Sequence, residues 1–256
     1  MKIIKTPAQF KKVKKVTVTF LKNKTIGFVP TMGALHDGHL SLVRRSLKEN
    51  DFTAVSIFVN PVQFNDKKDF NNYPNTLKQD IAKLKKANVD FLFLPRFKDI
   101  YPDKYRYRII ENSLSRLLCG AFRPGHFDGV LTIVMKLFNI IGADRAYFGE
   151  KDYQQYMLVK DMAEAFFHKT AVIGCPTARE KDGLAISSRN LRLSPEQRKI
   201  APELYRILKS AKNEKEAVSL LRKKGFSPEY VEEMSGRRLA AAWLGKVRLI
   251  DNVKIR

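Results

Sequence analysis

The stretch from Thr25 to Val59 decides the fold: TIGFVP (25–30), TMGALHDGH (31–39), LSLVRRSLKEN (40–50) and, after Asp51, FTAVSIFV (52–59). The first piece is apolar and reads as a buried strand. The second carries Gly33 and Gly38 and reads as a tight loop. In the third, Leu40, Leu42, Val43 and Leu47 recur at helical spacing. The fourth is a continuous apolar and β-branched run, the pattern of a parallel strand covered on both faces. Strand, loop, helix and strand in this order make a βαβ unit.

Outward from this unit the alternation continues. Leu77 to Lys86, with Ile81 and Leu84 on one face, predicts a helix, and VDFLFL (89–94) a strand. Gly129 to Ile141 reads as an apolar helix, Ala146 to Gly149 as the end of a strand, Gln155 to Phe167 as a helix and Thr170 to Gly174 as a strand. Alternation of this kind predicts an α/β protein with a Rossmann-like, doubly wound parallel sheet over residues 1–176. Such sheets bind ligands beyond the carboxyl ends of their strands. After Cys175-Pro176 the character changes. Residues 194–224 read as helices rich in Lys, Arg and Glu, opened by Ser194 as N-cap with Pro195 and Gln197 behind it. Residues 239–250 read as a strand or two. We therefore expect a smaller C-terminal α+β domain over 177–256. Lys11, Lys12, Lys14, Lys15, Lys22 and Lys24 crowd the opening and read as a solvated helix face.

Composition narrows the function. The 256 residues are 44% hydrophobic, enough for a core, so a disordered tail protein is excluded. The two cysteines, Cys119 and Cys175, form no Cys-x-x-Cys, which excludes a disulfide scaffold and a cysteine-based zinc site and fits a reducing compartment. Met1 to Lys5 lacks the apolar core of a signal peptide and no 18-residue apolar run exists, so the expectation is a cytoplasmic protein with no membrane partner. Lys and Arg number 48 against 26 Asp and Glu, a net charge of +22 that attracts anions. The charge is spread along the chain rather than striped with aromatics, and no nucleic-acid-binding motif appears, so nucleic acid is not the expected partner.

The polar clusters follow predicted strand ends. The loop from Met32 to His39 leads into a helix N-terminus, where backbone N–H groups and the helix dipole favour anions. Its His36 and His39, three apart, share a face if both are helical; two imidazoles there suit a polyphosphate and the charge that develops as it is cleaved. A metal pair is the rival reading, and it lacks the i, i+4 spacing and a local carboxylate in register. Asn60 and Gln63, in the NPVQF turn, offer neutral donors and acceptors. Arg123, in the RPGHFDGV segment, offers a planar fork for carboxylate or phosphate. Lys151 supplies a point charge, Asp152 can accept from a ribose hydroxyl or cap the helix, and Gln155 lies one turn on. The 179–190 segment, with Ser187, Ser188 and Arg189, is either a phosphate-covering loop or a flexible linker.

PTMGALHDGH, SIFVNPVQF, RPGHFDGV, FGEKDYQQ and DGLAISSRN, in this order and followed by AAAWLGKVRLIDN, resemble the pantoate–β-alanine ligase family. HDGH alone is shared with the wider adenylylating nucleotidyltransferases; the five together point to this one family. The resemblance implies condensation of pantoate with β-alanine through a pantoyl adenylate, with ATP as substrate, Mg²⁺ beside it, and a homodimer. It implies that Met32, Gly33, Ala34, Leu35, His36, Asp37, Gly38 and His39 form the ATP loop, with His39 as general acid. Gly149, Glu150, Lys151 and Asp152 would form the second ATP segment, Lys151 on phosphate. Ala178 would touch adenine, and Ile186, Ser187, Ser188 and Arg189 would clamp phosphate. Gln63 and Gln155 would hold pantoate, with Asn60, Tyr73 and Arg123 lining the pocket, and Asp80 would join the phosphates around Mg²⁺. Three features depart from the family. Asn75 stands where arginine is usual, Gln79 where an acid is common, and the chain is short between Ser210 and Leu239.

Overall fold

The computed structural model describes residues 1–20 and 23–255. Lys22 lies outside the described residues, and so do the side chains of Lys14 and Lys15; Lys11 and Lys12 are exposed on the helix Pro7–Phe20. The chain divides into two compact units. One comprises Met1–Leu35, His39–Phe148 and Gln155–Cys175, the other His36–Gly38, Gly149–Gln154 and Pro176–Arg256.

The first unit is built on β1 (Lys2–Ile4), β2 (Ile26–Thr31), β3 (Phe52–Ile57), β4 (Phe91–Phe93), β5 (Arg145–Gly149) and β6 (Ala171–Cys175). Their order in the sheet is β1-β4-β3-β2-β5-β6. The pairs β1–β4, β3–β4, β2–β3 and β2–β5 are parallel. The chain steps from β2 through β3 to β4, then returns to lay β5 and β6 on the other side of β2. The direction of winding therefore reverses between β2 and β5, the place where open α/β sheets leave a crevice. Gly27 lies opposite Arg145 and Phe28 opposite Ala146.

Side chains alternate across the sheet. Phe28, Ala54 and Phe91 share one face and pack with Leu131, Val134 and Phe138 of the helix His126–Ile141. Val29, Val55 and Leu92 share the other and pack with Val43 of the helix Asp37–Glu49 and Leu84 of the helix Leu77–Lys86. Both faces are covered, which is why these strands read as unbroken apolar runs; each fully buried Phe or Leu contributes about 1.5–3 kcal/mol. The helix His126–Ile141 starts three residues before the expected Gly129 and ends at Gly142, whose φ of 56° is left-handed and whose N–H donates to Phe138 O. The short strand β1 was not expected: three residues carry no periodic signal.

The second unit holds the helices Pro195–Ile200, Glu203–Ser210 and Glu214–Lys223 against an antiparallel sheet of β7 (Phe226–Met234), β8 (Arg237–Leu244) and β9 (Val247–Lys254). The expected cap forms: Ser194 Oγ accepts from Gln197 N–H at 3.2 Å while Gln197 Oε1 accepts from Ser194 N–H at 3.0 Å. Ser235 and Gly236, with φ of 51° and 70°, close the β7–β8 hairpin in the left-handed conformation that two-residue hairpin turns use. Strand β7 escapes sequence reading because Pro228 and three glutamates break its pattern. It lies at the sheet edge, where proline is tolerated, and its register shifts between Pro228 and Tyr230.

Candidate active site

The loop after β2 is shaped from within the first unit. Thr31 Oγ1 donates to Ser56 O at 2.7 Å and accepts from Gly33 N–H at 3.2 Å. Gly33 and Ala34 have φ of 83° and 50°, a local reversal that costs an alanine about 1 kcal/mol or more. Asp80 offsets it: its Oδ1 accepts from Leu35 N–H at 2.8 Å, and its Oδ2 from Ala34 N–H at 2.9 Å and Thr76 Oγ1 at 3.0 Å. Leu35 is buried beneath the turn, and its carbonyl accepts from Lys83 Nζ.

Three expectations change here. Asp80 is 1% exposed and its carboxylate is committed to the loop, so it does not fit a magnesium ligand. No group of three or more His, Cys, Asp or Glu able to hold a metal occurs among the described residues. The amides of Ala34 and Leu35 are likewise taken by Asp80 rather than presented to phosphate. His36 precedes the helix, which starts at Asp37, so the two histidines do not share a helical turn; His39 is in the first turn.

The turn after β3 holds the small polar residues. Asn60 is buried; its Nδ2 donates to Gln63 Oε1 at 3.0 Å and to Gly129 O at 3.1 Å, and its Oδ1 accepts from Tyr101 OH at 3.0 Å. Burial pushes the Tyr101 phenol well above its ordinary range, so it remains a donor at working pH. Gln63 Nε2 points at Met32 Sδ, 3.1 Å away, which joins this turn to the loop after β2. Gly129 lets the helix approach: a Cβ there would lie 2.7 Å from Val62 O. Arg123 Nη1 is 3.2 Å from His126 Nε2, and His126 Nδ1 is 2.7 Å from Gln63 O. Arginine only donates, so Nε2 accepts and Nδ1 carries the proton given to Gln63 O. Arg123, His126, Gln63, Asn60 and Met32 thus form one connected group. Tyr73 packs edge-on against Phe64 at 5.8 Å, and Gln155 is half-buried in the helix Tyr153–Ala165.

In the second unit His36–Gly38 and Gly149–Gln154 belong to the same compact body. Gly38 leaves room for the His36 ring, which a Cβ would meet at 3.0 Å, and the Ala178 Cβ lies 3.9 Å from that point. The turn Glu150–Asp152 carries Lys151, whose Nζ is 3.6 Å from Asp152 Oδ2. Lys151, Ser187, Arg189, Asn190, Arg248 and Asp251 line one cleft. Segment 178–186 is not a loose linker. Ile186 N–H donates to Ala178 O at 3.0 Å, Arg179 bridges to Ala185, and Glu180 N–H donates to Leu184 O at 2.8 Å. Ser187 Oγ then accepts from Arg189 N–H at 3.3 Å and starts the turn Ser188–Arg192.

Sequence reading gave no role to Tyr101, His126, Arg179, Arg237, Asp251 or Asn252. The last two carried a signal: adjacent polar residues inside an apolar strand, LIDNV, both 3% exposed.

Comparison with known proteins agrees across the chain. The family model for pantoate-beta-alanine ligase matches residues 2–254. A pantothenate synthetase from Bdellovibrio bacteriovorus is 51% identical over 253 residues, covering 99% of each chain. One from Legionella pneumophila is 50% identical over 91% of this chain and 93% of its own. The crystal structure of a Francisella tularensis pantoate-beta-alanine ligase, complexed with beta-gamma ATP and beta-alanine, superposes with a TM-score of 0.92 at 44% identity, covering 99% of this chain and 97% of that one. A Thermus thermophilus pantothenate synthetase gives 0.90 at 40% identity, covering 99% of both chains.

Proposed function

The chain belongs to the pantoate–β-alanine ligase family and catalyses the ATP-dependent condensation of pantoate with β-alanine; on that premise we propose how its residues divide the work. A carboxylate oxygen leaves too poorly for an amine to displace it at neutral pH. The pantoate carboxylate therefore attacks the α-phosphorus of ATP, pyrophosphate departs, and the pantoyl adenylate carries AMP as leaving group. The β-alanine amine then attacks the acyl carbon, and AMP departs as the amide forms.

The protein's task is to place reactants and neutralise phosphate charge. Lys151, with Ser187, Ser188 and Arg189 as a clamp completed by Ile186, gathers the phosphates together with His36 of the same unit, and the Met32–His39 turn supplies His39 as the acid. Gly149 and Glu150 shape the lysine turn, Asp152 takes a ribose hydroxyl, and Ala178 meets adenine. Gln63 and Gln155 hold pantoate, and Asn60, Tyr73 and Arg123 line the pocket that both small substrates enter. Residues 1–176 form the domain that holds nucleotide and pantoate, and 177–256 the lid. Magnesium bound to ATP would screen the phosphate charge without drawing on Asp80, whose carboxylate is engaged by the loop amides. We place the enzyme in the cytoplasm as a homodimer; a second copy would cover the exposed Tyr107, Ile110, Leu117 and Phe122.

One observation carries the division: His36–Gly38, from the loop after β2, and Gly149–Gln154, which bears Lys151, belong to one compact unit although more than a hundred residues separate them in sequence. The test is isotope exchange between pyrophosphate and ATP. Exchange that needs pantoate and not β-alanine supports the adenylate route; exchange indifferent to pantoate refutes it.

A further inference from the structure

The RLIDN stretch of β9 has no part in the proposed chemistry, yet its Asp251 and Asn252 are buried and hydrogen-bonded. Asn252 Nδ2 donates both of its hydrogens, to Glu150 O at 2.7 Å and to Lys151 O at 3.1 Å. Its Oδ1 accepts from Arg237 Nη1 at 2.7 Å, and the other arm of Arg237 reaches the Glu150 carboxylate. The Arg237 guanidinium also lies over the Tyr153 ring, 4.4 Å from its centre, just past the same turn. Asn252 is fixed in its turn: its N–H donates to Asp251 Oδ1 at 2.7 Å, and Asp251 is gripped by Arg179 through bonds of 2.6 and 2.9 Å. All of these residues belong to the second unit.

A lysine side chain is long and flexible, so its reach is set by where its root is held. Two successive carbonyls pinned by one amide fix the two peptide planes that flank the Lys151 Cα, and with them the direction in which the Lys151 side chain leaves the backbone. Buried ionic groups add little net stability, so the consequence of this set is geometric. We propose that Asn252 is a positioning residue for Lys151: it aims the phosphate-binding lysine from a strand about a hundred residues further along the chain.

The proposal rests on Lys151 serving phosphate, and the experiment separates the two. Pantoate-dependent pyrophosphate exchange is measured for Asn252→Ala, Lys151→Ala and the double variant, each checked by its melting curve. Asn252→Asp, isosteric but without donors, is the second probe should the alanine variant fold poorly. A misaimed group costs on the order of tenfold or more. We expect Asn252→Ala to lower kcat by about tenfold with the KM for pantoate nearly unchanged, and the same change to be almost silent once Lys151 is gone. An equal loss in both backgrounds would mean that Asn252 supports the fold and does not act through Lys151, which overturns the inference alone. A Lys151→Ala enzyme with wild-type exchange would remove the phosphate role and the inference with it.

Discussion

Two turns in this molecule are each held by a buried asparagine, and they are held in opposite ways. In the turn after β3, Asn60 grips Gln63 three residues on and takes Gly129 O and Tyr101 OH as further partners. In the turn after β5, the asparagine comes from the last strand: Asn252 grips the carbonyls of residues 150 and 151. The first is a rigid neutral group suited to reading hydroxyls and a carboxylate. The second aims a cation. A neutral site gains selectivity from fixed hydrogen-bond geometry, whereas a phosphate site gains rate from charge held where charge develops.

The largest effect expected from this contrast is kinetic. Lys151→Ala should lose about 3 kcal/mol of transition-state stabilisation, roughly a hundredfold in the kcat of pyrophosphate exchange. Gln63→Ala should instead raise the KM for pantoate about tenfold, as loss of one hydrogen-bonding group does. Steady-state kinetics on both variants checks the split, and a KM effect at Lys151 with a kcat effect at Gln63 would reverse the roles. Next in size is stability. Asn60→Ala strands Tyr101 OH in the interior and should cost about 1–3 kcal/mol in urea melts. Gly129→Ala should cost a similar 1–3 kcal/mol, because its Cβ meets backbone that cannot yield. A melting midpoint equal to wild type for either variant would show that the β3 turn is loosely held.

The smallest effect is alkaline. Burial raises the folded-state pKa of Tyr101 above the ordinary value of 10.0. The folded protein therefore keeps a proton that the unfolded chain has lost, so this contribution is whole below pH 10 and declines as pH rises beyond it. Melting temperatures from pH 7 to 11 should fall more gently for Tyr101→Phe than for wild type above pH 10. An identical slope would mean that the phenol is not sealed in the Asn60 cluster.

The same contrast explains what could be read from the sequence. The βαβ unit was legible because Phe28, Val29, Ala54 and Val55 lie in runs buried on both faces, and Asn60 and Gln63 because they share one short motif. The loop-holding role of Asp80 is not legible, because its partners, the amides of Ala34 and Leu35, lie 46 and 45 residues away. The shared face of His36 and His39 depends on both being helical, and three-residue spacing does not say where the helix begins; it begins after His36. Asn252 was overlooked for the same cause as Asp80. A side chain that works on distant backbone leaves no local pattern, only a polar residue where an apolar one would pack.

The central claim is that the turn bearing His36 and the turn bearing Lys151, both parts of one compact unit, serve one nucleotide. A crystal structure of the enzyme with pantoate and a non-hydrolysable ATP analogue tests it most directly. The prediction is a single triphosphate with an imidazole nitrogen of the first turn and the Lys151 ammonium each about 3 Å from its oxygens. A nucleotide held by one of these turns while the other points elsewhere would contradict it.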